Sequence, residues 1–303
     1  MRNFTFKGQL LTAVFMLLGC LSIQAANDDL ITKQITINLD KAGTLPNKIA
    51  SSEMYKITNL KIIGEINGTD WNMIREMAGR DNRGYGTEGK LSVLDLSEAK
   101  IVKGGDSYYP GDNCYTSNDE IGEKAFKDCS RLTSLTLPVG ITSIGYDAFA
   151  YCSGLTSLTL PAGITSIDKY AFSGCSRLTS LTLPAGITSI GEFAFSYCSG
   201  LTSIYVYAEK VPRIGRYAFE GCASRKCTLY VPKGTYDNYR LSEFGYFENI
   251  VEFDATGIDK TTTSTDVEEV SRYSADGQRL AVPVKGLNIV KYSDGTARKV
   301  VVK

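Results

Sequence analysis

A block of sequence that begins Ile-Gly-Glu-Lys-Ala-Phe at Ile121 recurs almost unchanged through the middle of this 303-residue chain. Its phenylalanines are spaced by 23, 23, 23 and 24 residues, at Phe126, Phe149, Phe172, Phe195 and Phe219. Cysteines keep the same spacing three residues later, at Cys129, Cys152, Cys175, Cys198 and Cys222. A fixed period of this length predicts a solenoid, because a single repeat cannot bury its own apolar face and packs on its neighbours. Solenoids offer a long surface more often than a deep catalytic cleft.

Each repeat contains the signals of two strands and a turn. Leucine alternates with polar residues over 134–137, which predicts a half-buried strand. Pro138 ends that strand because proline cannot continue a hydrogen-bonded ladder. Residues 141–144 predict a second short extended piece, and residues 148–152 predict a short helical turn that fills the interior. The stacked strands should form a parallel sheet.

The same residues carry a family resemblance. The pattern I-G-x-x-A-F-x-x-C-S-x-L-T-S-L-T-L-P resembles the BspA-like class of bacterial leucine-rich repeats, from Ile121 to about Pro232. The resemblance implies a leucine-rich-repeat solenoid, an α/β superhelix rich in β structure with parallel strands and short helical turns. It also implies an envelope or secreted protein of a host-associated bacterium. Some members of that class are adhesins for extracellular-matrix proteins or other cells.

Around the repeats the sequence predicts further segments. In the leading region, residues 57–62 and 91–96 echo L-T-S-L-T-L, and near the C-terminus Asp276-Gly277 and Asp294-Gly295 predict hairpin turns. The C-terminal module is either a structural end-piece or a sorting signal. The predicted organisation is a signal peptide over 1–25, a divergent N-terminal capping region with irregular repeats over 27–120, the repeats with a closing cap over 121–253, a Thr-rich linker over 254–266 and a small β module over 267–303.

The N-terminus predicts export. Arg2 and Lys7 precede an apolar stretch, residues 10–21, that is too short to span a bilayer, and Ala25 offers a small-residue cleavage site. A competing interpretation is lipoprotein processing, with Cys20 as the lipidated residue and a lipid anchor as the result. No other segment is apolar and long enough to span a membrane. The mature chain should therefore be secreted or on the outer cell surface, with the periplasm as the alternative.

Charge and composition exclude several classes of function. The chain has 33 basic and 33 acidic residues, so it lacks the basic excess of a nucleic-acid-binding protein. It contains no histidine, which excludes Ser/His/Asp and Cys/His nucleophilic sites and every zinc site that uses histidine. No Cys-x-x-Cys metal spacing occurs. We therefore expect no metal, no cofactor, no catalytic residue and no nucleic-acid partner.

The repeated cysteines have two interpretations. They would lie on successive turns of the solenoid, within the range that a disulfide tolerates. Free cysteine is also a small apolar residue that is usually buried, and pairing five of them would leave one over. We therefore expect free, buried thiols along the repeats. Cys114 and Cys227 lie outside the repeated positions, and either was open to forming a disulfide.

Two rows of aromatic side chains are candidate ligand-binding sites. Tyr205 and Tyr230 continue the outward row of threonines on the strands, and tyrosine gives a large contact area at small entropic cost. Tyr170, Phe193 and Tyr217 precede Ala-Phe in successive repeats and should stack along an edge. Packing between repeats explains the second row equally well.

A third candidate is the insertion between residues 101 and 118, which interrupts the period. It is rich in glycine and carries Tyr108, Tyr109 and Tyr115, and loops on rigid scaffolds are frequent binding sites.

The sequence as a whole favours a non-enzymatic, exported protein that binds a protein or glycan on host or bacterial cells, as an adhesion module at the bacterial surface. One alternative is a structural envelope component that assembles with its own kind. A less favoured alternative is a carbohydrate-active enzyme that uses two of Asp95, Asp106 and Glu120, whose spacing does not support a catalytic pair.

Overall fold

The computed structural model describes residues 30–109, 111, 113–255, 269–274, 279–280, 286–292 and 297–302. The predicted signal peptide with Cys20 lies outside these residues, as do almost all of the Thr-rich linker and both predicted hairpin turns, Asp276-Gly277 and Asp294-Gly295. The chain divides into two compact units, residues 1–251 and 252–303. Within the described residues, no helix combines the length and the apolar character needed to cross a membrane.

The first unit is a solenoid in which each repeat forms one turn, here called a rung. Its main sheet has nine described strands, and the neighbours from β1 to β15 run parallel. In spatial order the strands are β1 (Ile35–Leu39), β2 (Asn59–Ile66), β3 (Val93–Ile101), β7 (Ser134–Thr136), β9 (Ser157–Thr159), β11 (Ser180–Leu183), β13 (Ser203–Val206), β15 (Thr228–Pro232) and β16 (Asn249–Phe253).

A second sheet follows the turn after each main strand. Its short strands are parallel and lie in chain order: β6 (Glu120–Ile121), β8 (Ser143–Ile144), β10 (Ser166–Ile167), β12 (Ser189–Ile190) and β14 (Arg213–Ile214). These are the second extended pieces that the isoleucines predict. The prediction of one strand, one turn and one short strand per repeat is confirmed.

Register explains why the repeats are almost identical. Leu60 of β2 pairs with Leu94 of β3, Leu94 pairs with Leu135 of β7, and the same inward position continues through Leu158 and Leu181. All of these leucines are buried. The two segments of the leading region that resemble the repeat strands in sequence therefore contribute strands β2 and β3 to the same sheet. The structure adds β1, which pairs with β2 and which the sequence pattern did not reveal.

The segment after each short strand differs from the predicted helical turn. Its bonds inside the rung join residues three apart, as in Cys152 N to Phe149 O at 3.1 Å. Other amides donate to the next rung, as in Phe149 N to Ala171 O at 2.7 Å. Two residues of this segment, Asp147 and Tyr151, have left-handed φ values of 55° and 61°, which no α-helix accommodates. Successive turns are thus joined by backbone hydrogen bonds, which form a third column between rungs beside those of the two sheets.

Threonines hold the rungs together at the entry to each strand. The hydroxyl of Thr156 donates to Thr133 O at 3.0 Å, and that of Thr179 donates to Thr156 O at 3.2 Å. A parallel set precedes the short strands, where Thr165 donates to Thr142 O at 3.3 Å. The backbone amide of each threonine donates to the same carbonyl, as from Thr156 N to Thr133 O at 3.1 Å, so the hydroxyl adds a second hydrogen bond between the two rungs.

The leading region closes the N-terminal end of the core with a helix. Helix α1 (Gly68–Met77) begins at a capping box in which the Asn67 side chain accepts from Thr69 N and Asp70 accepts from Asn67 N. The helix places Trp71 and Arg75 against the first repeat, where both side chains are fully buried.

The period-breaking insertion forms a hairpin, and a short helix closes the other end. Strands β4 (Gly104–Tyr109) and β5 (Cys114–Thr116) pair antiparallel, and β4 packs on α1. After the last repeat, helix α2 (Tyr236–Arg240) and a 3-10 turn at Glu243–Tyr246 bring Phe244 into the core.

The second unit contains a four-stranded antiparallel sheet. Its strands are β17 (Glu269–Ser274), β18 (Arg279–Leu280), β19 (Gly286–Tyr292) and β20 (Ala297–Val302), in the spatial order β18, β17, β19, β20. Strands β17 and β18 pair antiparallel across the segment that holds Asp276-Gly277. Strands β19 and β20 do so across the segment that holds Asp294-Gly295.

Candidate functional site

The outward row of the main sheet changes character along the solenoid. At the N-terminal end Lys61 lies 3.4 Å from Asp95 and 2.7 Å from Glu98. Threonines follow in the middle rungs, and the row ends with Tyr205 of β13 beside Tyr230 of β15. The face thus offers charge at one end and aromatic surface at the other.

Tyr205 and Tyr230 form a close parallel pair. Their ring centroids are 4.4 Å apart and their planes differ by 5°. Both side chains are half-buried. Burial and the neighbouring phenol of Tyr230 raise the pKa of Tyr205 to about 12, so the Tyr205 hydroxyl stays protonated at physiological pH. The pair presents an amphipathic surface of a kind that is frequent where proteins bind partners.

The second predicted row also exists. The Tyr170 and Phe193 ring centroids are 5.0 Å apart, and those of Phe193 and Tyr217 are 5.2 Å apart. Tyr217 is 58% exposed and the other two are partly exposed. Tyr146 extends the row by an edge contact with Tyr170 at 5.9 Å. Tyr146 was not among the predicted residues, because in its own repeat it lies one residue before the position that Tyr170 occupies in the next repeat.

The backbone makes this row unusual. Tyr170, Phe193 and Tyr217 have φ values of 57°, 55° and 59°, in the left-handed region that bulky residues rarely adopt. Asparagine or glycine would fit these positions with less strain. Aromatic side chains held there serve either packing between rungs or contact with a ligand.

The tyrosines of the insertion divide into three environments. Tyr108 is 1% exposed, and its hydroxyl donates to Glu123 O at 2.9 Å, so the expectation that it binds a ligand is wrong. The hairpin packs on α1, which turns this ring into the core beside Trp71. Tyr109 is half-buried beneath the guanidinium of Arg75, 5.3 Å from its ring centroid. Tyr115 is 54% exposed and is the insertion's accessible tyrosine.

The repeated cysteines are free and buried, as predicted. Each thiol after the first donates to the carbonyl of the phenylalanine one rung earlier, as in Cys152 to Phe126 O at 3.0 Å and Cys175 to Phe149 O at 3.3 Å. Burial raises the pKa of Cys129 to about 11, so the thiol is protonated and unreactive at neutral pH. Cys227 is likewise a free thiol, and Cys114 is buried at 5% exposure.

Two exposed tyrosines beside the repeated cysteines were also missed. Tyr151 and Tyr197 precede the cysteine in alternate rungs and are 56% and 60% exposed. The signal was present in the sequence, where Y-C-S-G-L occurs at 151–155 and again at 197–201, with G-C-S-R-L at 174–178 between them.

The three carboxylates considered for catalysis lie in different environments. Burial acts to raise the pKa of Asp95, but hydrogen bonds with Ser97 and the charge of Lys61 outweigh it, and the pKa is lowered. Asp106 accepts from the Thr69 hydroxyl at 2.8 Å, and Glu120 is exposed. Among the described residues, no group of three or more acidic or cysteine side chains is placed to hold a metal ion.

The comparison with known families decides the type of repeat. Residues 115–239 match, in six copies, the family described as BspA type Leucine rich repeat region. Residues 115–239 are BspA-type leucine-rich repeats. Leucine-rich repeat proteins are generally non-catalytic, and the BspA type is typical of bacterial surface or secreted proteins. The family therefore indicates a binding module built from repeats.

Solved structures of similar proteins come from several bacteria. The leucine-rich repeat protein of T. pallidum, TpLRR, is 30% identical with a TM-score of 0.37, over 46% of this chain and 64% of that one. A leucine-rich repeat protein from Bacteroides ovatus is 21% identical with a TM-score of 0.31, over 48% and 43% of the two chains. The chain thus spans less than two thirds of either relative. The pneumococcal vaccine antigen PcpA is 14% identical with a TM-score of 0.39, over 73% and 68%. No curated protein matches the chain.

Proposed function

We propose that this chain is an exported, non-catalytic binding protein whose BspA-type repeats present aromatic side chains to a protein or glycan on host or bacterial cells. The observation that carries the proposal is the row Tyr170, Phe193 and Tyr217, held partly exposed at left-handed backbone positions. Each such residue costs about 1 kcal/mol or more relative to glycine. Stacking offsets part of that cost, and ligand contact supplies a reason for keeping rings where asparagine would fold more easily.

The strand face supports the same function. Tyr205 and Tyr230 stack rigidly on neighbouring strands, so little side-chain entropy is lost when a ligand covers them. Tyr115, on the insertion, and Tyr109 beside it add candidate contacts at the other end of the repeats. We propose that ligands bind along the strand face and the aromatic edge.

The location of the protein belongs to the proposal as well. The apolar N-terminal segment supports export, either as a cleaved secreted protein or as a lipoprotein anchored through Cys20. We propose the outer cell surface or the medium as its place of action, with the segment organisation predicted from sequence.

A capture experiment tests the binding function. Residues 27–303 would be immobilised and exposed to extracts of host extracellular matrix and of bacterial envelopes. We expect specific capture that Tyr205→Ala/Tyr230→Ala or Tyr170→Asn/Phe193→Asn/Tyr217→Asn reduces strongly. Tyr85→Ala is a matched control, because Tyr85 is 70% exposed and belongs to neither row. Capture that survives both row variants rejects these sites, and no capture by the unaltered chain rejects the binding function.

One observation favours the second candidate, a self-assembling envelope component. The main sheet ends in two edge strands, β1 and β16, whose outer hydrogen-bonding groups form a template for another strand. Edge-to-edge addition would join copies head to tail into a filament. Sedimentation velocity of the mature chain over a range of concentrations separates the two candidates, since only the second predicts growing oligomers.

A further inference from the structure

The residue before each repeated cysteine lies at the solenoid surface and alternates in type. All five members of this column have left-handed φ values, between 57° and 75°. In chain order they are Asp128, Tyr151, Gly174, Tyr197 and Gly221. A tyrosine thus occurs in every second rung, with glycine in the rung that follows it.

Each tyrosine ring lies over the glycine of the next rung. A Cβ atom added to Gly174 would lie 2.8 Å from Cδ1 of Tyr151, and one added to Gly221 would lie 2.7 Å from Cδ1 of Tyr197. The same ring atoms make the contact in both cases, so the two rings have the same orientation. Among the described residues, neither ring stacks on another aromatic side chain. Both therefore keep surface available to a ligand, in contrast to Tyr170 and Phe193, whose ring faces cover each other.

Arginine alternates in the neighbouring column, three residues later. Arg131 and Arg177 are exposed and, within the part of the chain that the structure describes, make no ion pair. The rung between them carries Gly154 at this position, and the rung after Arg177 carries Gly200. A Cβ atom at Gly154 would lie 2.2 Å from the carbonyl oxygen of Ser130, so this position in the tyrosine rungs excludes a side chain. The surface therefore presents arginine and tyrosine in turn.

The charge of this surface is positive. The four segments from each phenylalanine to the following Leu-Thr, over residues 126–133, 149–156, 172–179 and 195–202, contain Lys127, Asp128, Arg131 and Arg177 as their charged residues. Lys127 is paired with Asp147, and Arg80 lies beside Asp128, to whose carbonyl it donates at 3.1 Å. The two arginines are left to attract an anionic ligand.

Spacing identifies the kind of ligand. Phe149, Phe172 and Phe195, which mark successive rungs, have ring centroids 5.0 and 5.1 Å apart. Two rungs therefore separate Tyr151 from Tyr197 by about 10 Å. This is close to the length of one disaccharide in an extended chain of pyranose rings. The C–H groups on the face of a sugar ring pack favourably on an aromatic ring, and arginine pairs with carboxylate or sulfate through two hydrogen bonds.

The two neighbouring columns, with Tyr151 and Tyr197 in one and Arg131 and Arg177 in the other, are here taken together as the tyrosine–arginine column. We propose that this column binds an acidic linear polysaccharide with a disaccharide repeat. The tyrosines pack on alternate sugars, and each arginine pairs with the anionic group of one disaccharide. This site rests on the proposed binding function, but it lies apart from the strand-face residues Tyr205 and Tyr230.

Binding of defined hexasaccharides to the mature chain, residues 27–303, tests the proposal. The probes are hyaluronan hexasaccharide, which carries one carboxylate per disaccharide, chondroitin sulfate hexasaccharide, which adds sulfate, and neutral cellohexaose. We expect the acidic probes to bind at least about tenfold more tightly than cellohexaose, and their affinity to fall as salt rises. The ratio of the two acidic probes shows whether carboxylate or sulfate is preferred.

Variants assign the binding to this column. Tyr151→Asn/Tyr197→Asn keeps residues that accept left-handed φ and should weaken binding of the acidic probes at least about tenfold. Arg131→Gln/Arg177→Gln should weaken it similarly and reduce its dependence on salt. Tyr151→Phe/Tyr197→Phe should bind normally. If the asparagine variant does not fold, the arginine variant decides.

The proposal would be overturned by no binding of either acidic probe, by equal binding of cellohexaose, or by normal binding by the folded asparagine or arginine variant. Loss of binding in Tyr205→Ala/Tyr230→Ala, with normal binding by both column variants, would overturn it as well. In that case the glycan occupies the strand face, and the broader binding function stands while this site does not.

Discussion

The ring of Trp71 lies 5.2 Å from the ring of Phe126, where the leading region meets the first repeat. From Phe126 the phenylalanines stack rung on rung as far as Phe219, which is covered in turn by Phe244 and Phe247 of the closing segment. Each end of the stack is therefore closed by an aromatic residue from outside the repeats. A solenoid needs such caps because its terminal rungs would otherwise expose their apolar faces.

Removing the N-terminal cap should destabilise the solenoid. Trp71 also donates from Nε1 to the carbonyl of Ala125 at 3.0 Å. We expect Trp71→Ala to lower the free energy of unfolding by about 3–5 kcal/mol, through lost burial and a cavity beside Phe126. Trp71→Phe keeps a ring and should lose less. Urea unfolding followed by circular dichroism measures both, and equal stability of the alanine variant and the unaltered chain would contradict the capping role.

The threonine columns should contribute through their hydroxyl groups. Thr156 and Thr159 are both exposed, and the hydroxyl of Thr156 donates to Thr133 O of the preceding rung, whereas Thr159 pairs with that rung through the strand backbone. Thr156→Val should therefore lower the free energy of unfolding by about 0.5–1.5 kcal/mol. Thr159→Val is a matched control, expected to be neutral because valine suits a strand equally well. If the two substitutions have the same effect, the column is not a source of stability.

The buried thiols should make the protein sensitive to alkaline pH. Burial raises the pKa of Cys129 to about 11, from an ordinary value of 9.0, so the native state holds this proton more tightly than the unfolded state. Its contribution to stability is complete below about pH 8 and is lost as the pH rises through 9 to 11. The loss for this thiol is on the order of 2 kcal/mol. Guanidinium unfolding at pH 8.0, 9.5 and 10.5 with a reductant would measure it.

Cys129→Ala is the control for this effect. The variant should start from lower stability at pH 8 and decline less steeply, because one ionisable group is gone. An unfolding free energy that does not change between pH 8 and 10.5 in the unaltered chain would show that burial does not raise the pKa of the thiols.

The tyrosine pair on the strand face should be energetically coupled. A double-mutant cycle of Tyr205→Ala, Tyr230→Ala and the combined variant should yield a coupling energy of about 0.5–1.5 kcal/mol in unfolding, since the ring centroids are 4.4 Å apart. Tyr205→Ala with Tyr85→Ala supplies the uncoupled reference. Additive effects in the first cycle would mean that the rings do not stack in solution.

Gly154, which lies in the same rung as Tyr151, should not tolerate a side chain. A Cβ atom at Gly154 would meet the carbonyl oxygen of Ser130 at 2.2 Å, whereas one at Gly140 would meet nothing nearer than 3.8 Å. Neither glycine has a positive φ, so only the space differs. We expect Gly154→Ala to lower the melting temperature markedly and Gly140→Ala to leave it unchanged or slightly raised. Similar melting temperatures for both variants would contradict the close approach of the rungs.

Sequence periodicity predicted the parts of the fold that every rung shares. Leucine, phenylalanine and cysteine fill the same interior slots in each repeat, so a single pattern was enough to identify the strands and the buried thiols. Strand β1 was missed because Ile-Thr-Ile-Asn-Leu has the alternation of a strand without the turn and the Phe–Cys signals that follow it elsewhere. The leading region therefore extends one strand further than the pattern indicated.

Candidate binding residues were harder to predict because their exposure depends on contacts between segments. Tyr108 resembled a surface loop residue, but the hairpin folds back on α1 and buries it. Tyr151 and Tyr197 lie next to buried cysteines, and only the left-handed backbone turns their rings outward. Their presence in every second repeat was visible in the sequence and was the available signal.

Because tyrosines lie over Gly174 and Gly221 in alternate rungs, the interior and the outer surface of the solenoid repeat with different periods. Its interior repeats with every rung, so a chain that gained or lost one repeat would keep the same core. Its surface repeats with every second rung, so the same event would place tyrosine against tyrosine or glycine against glycine and shift one half of the outer pattern out of phase. Duplication of repeats in pairs preserves both the core and the outer pattern, while duplication of single repeats preserves the core alone.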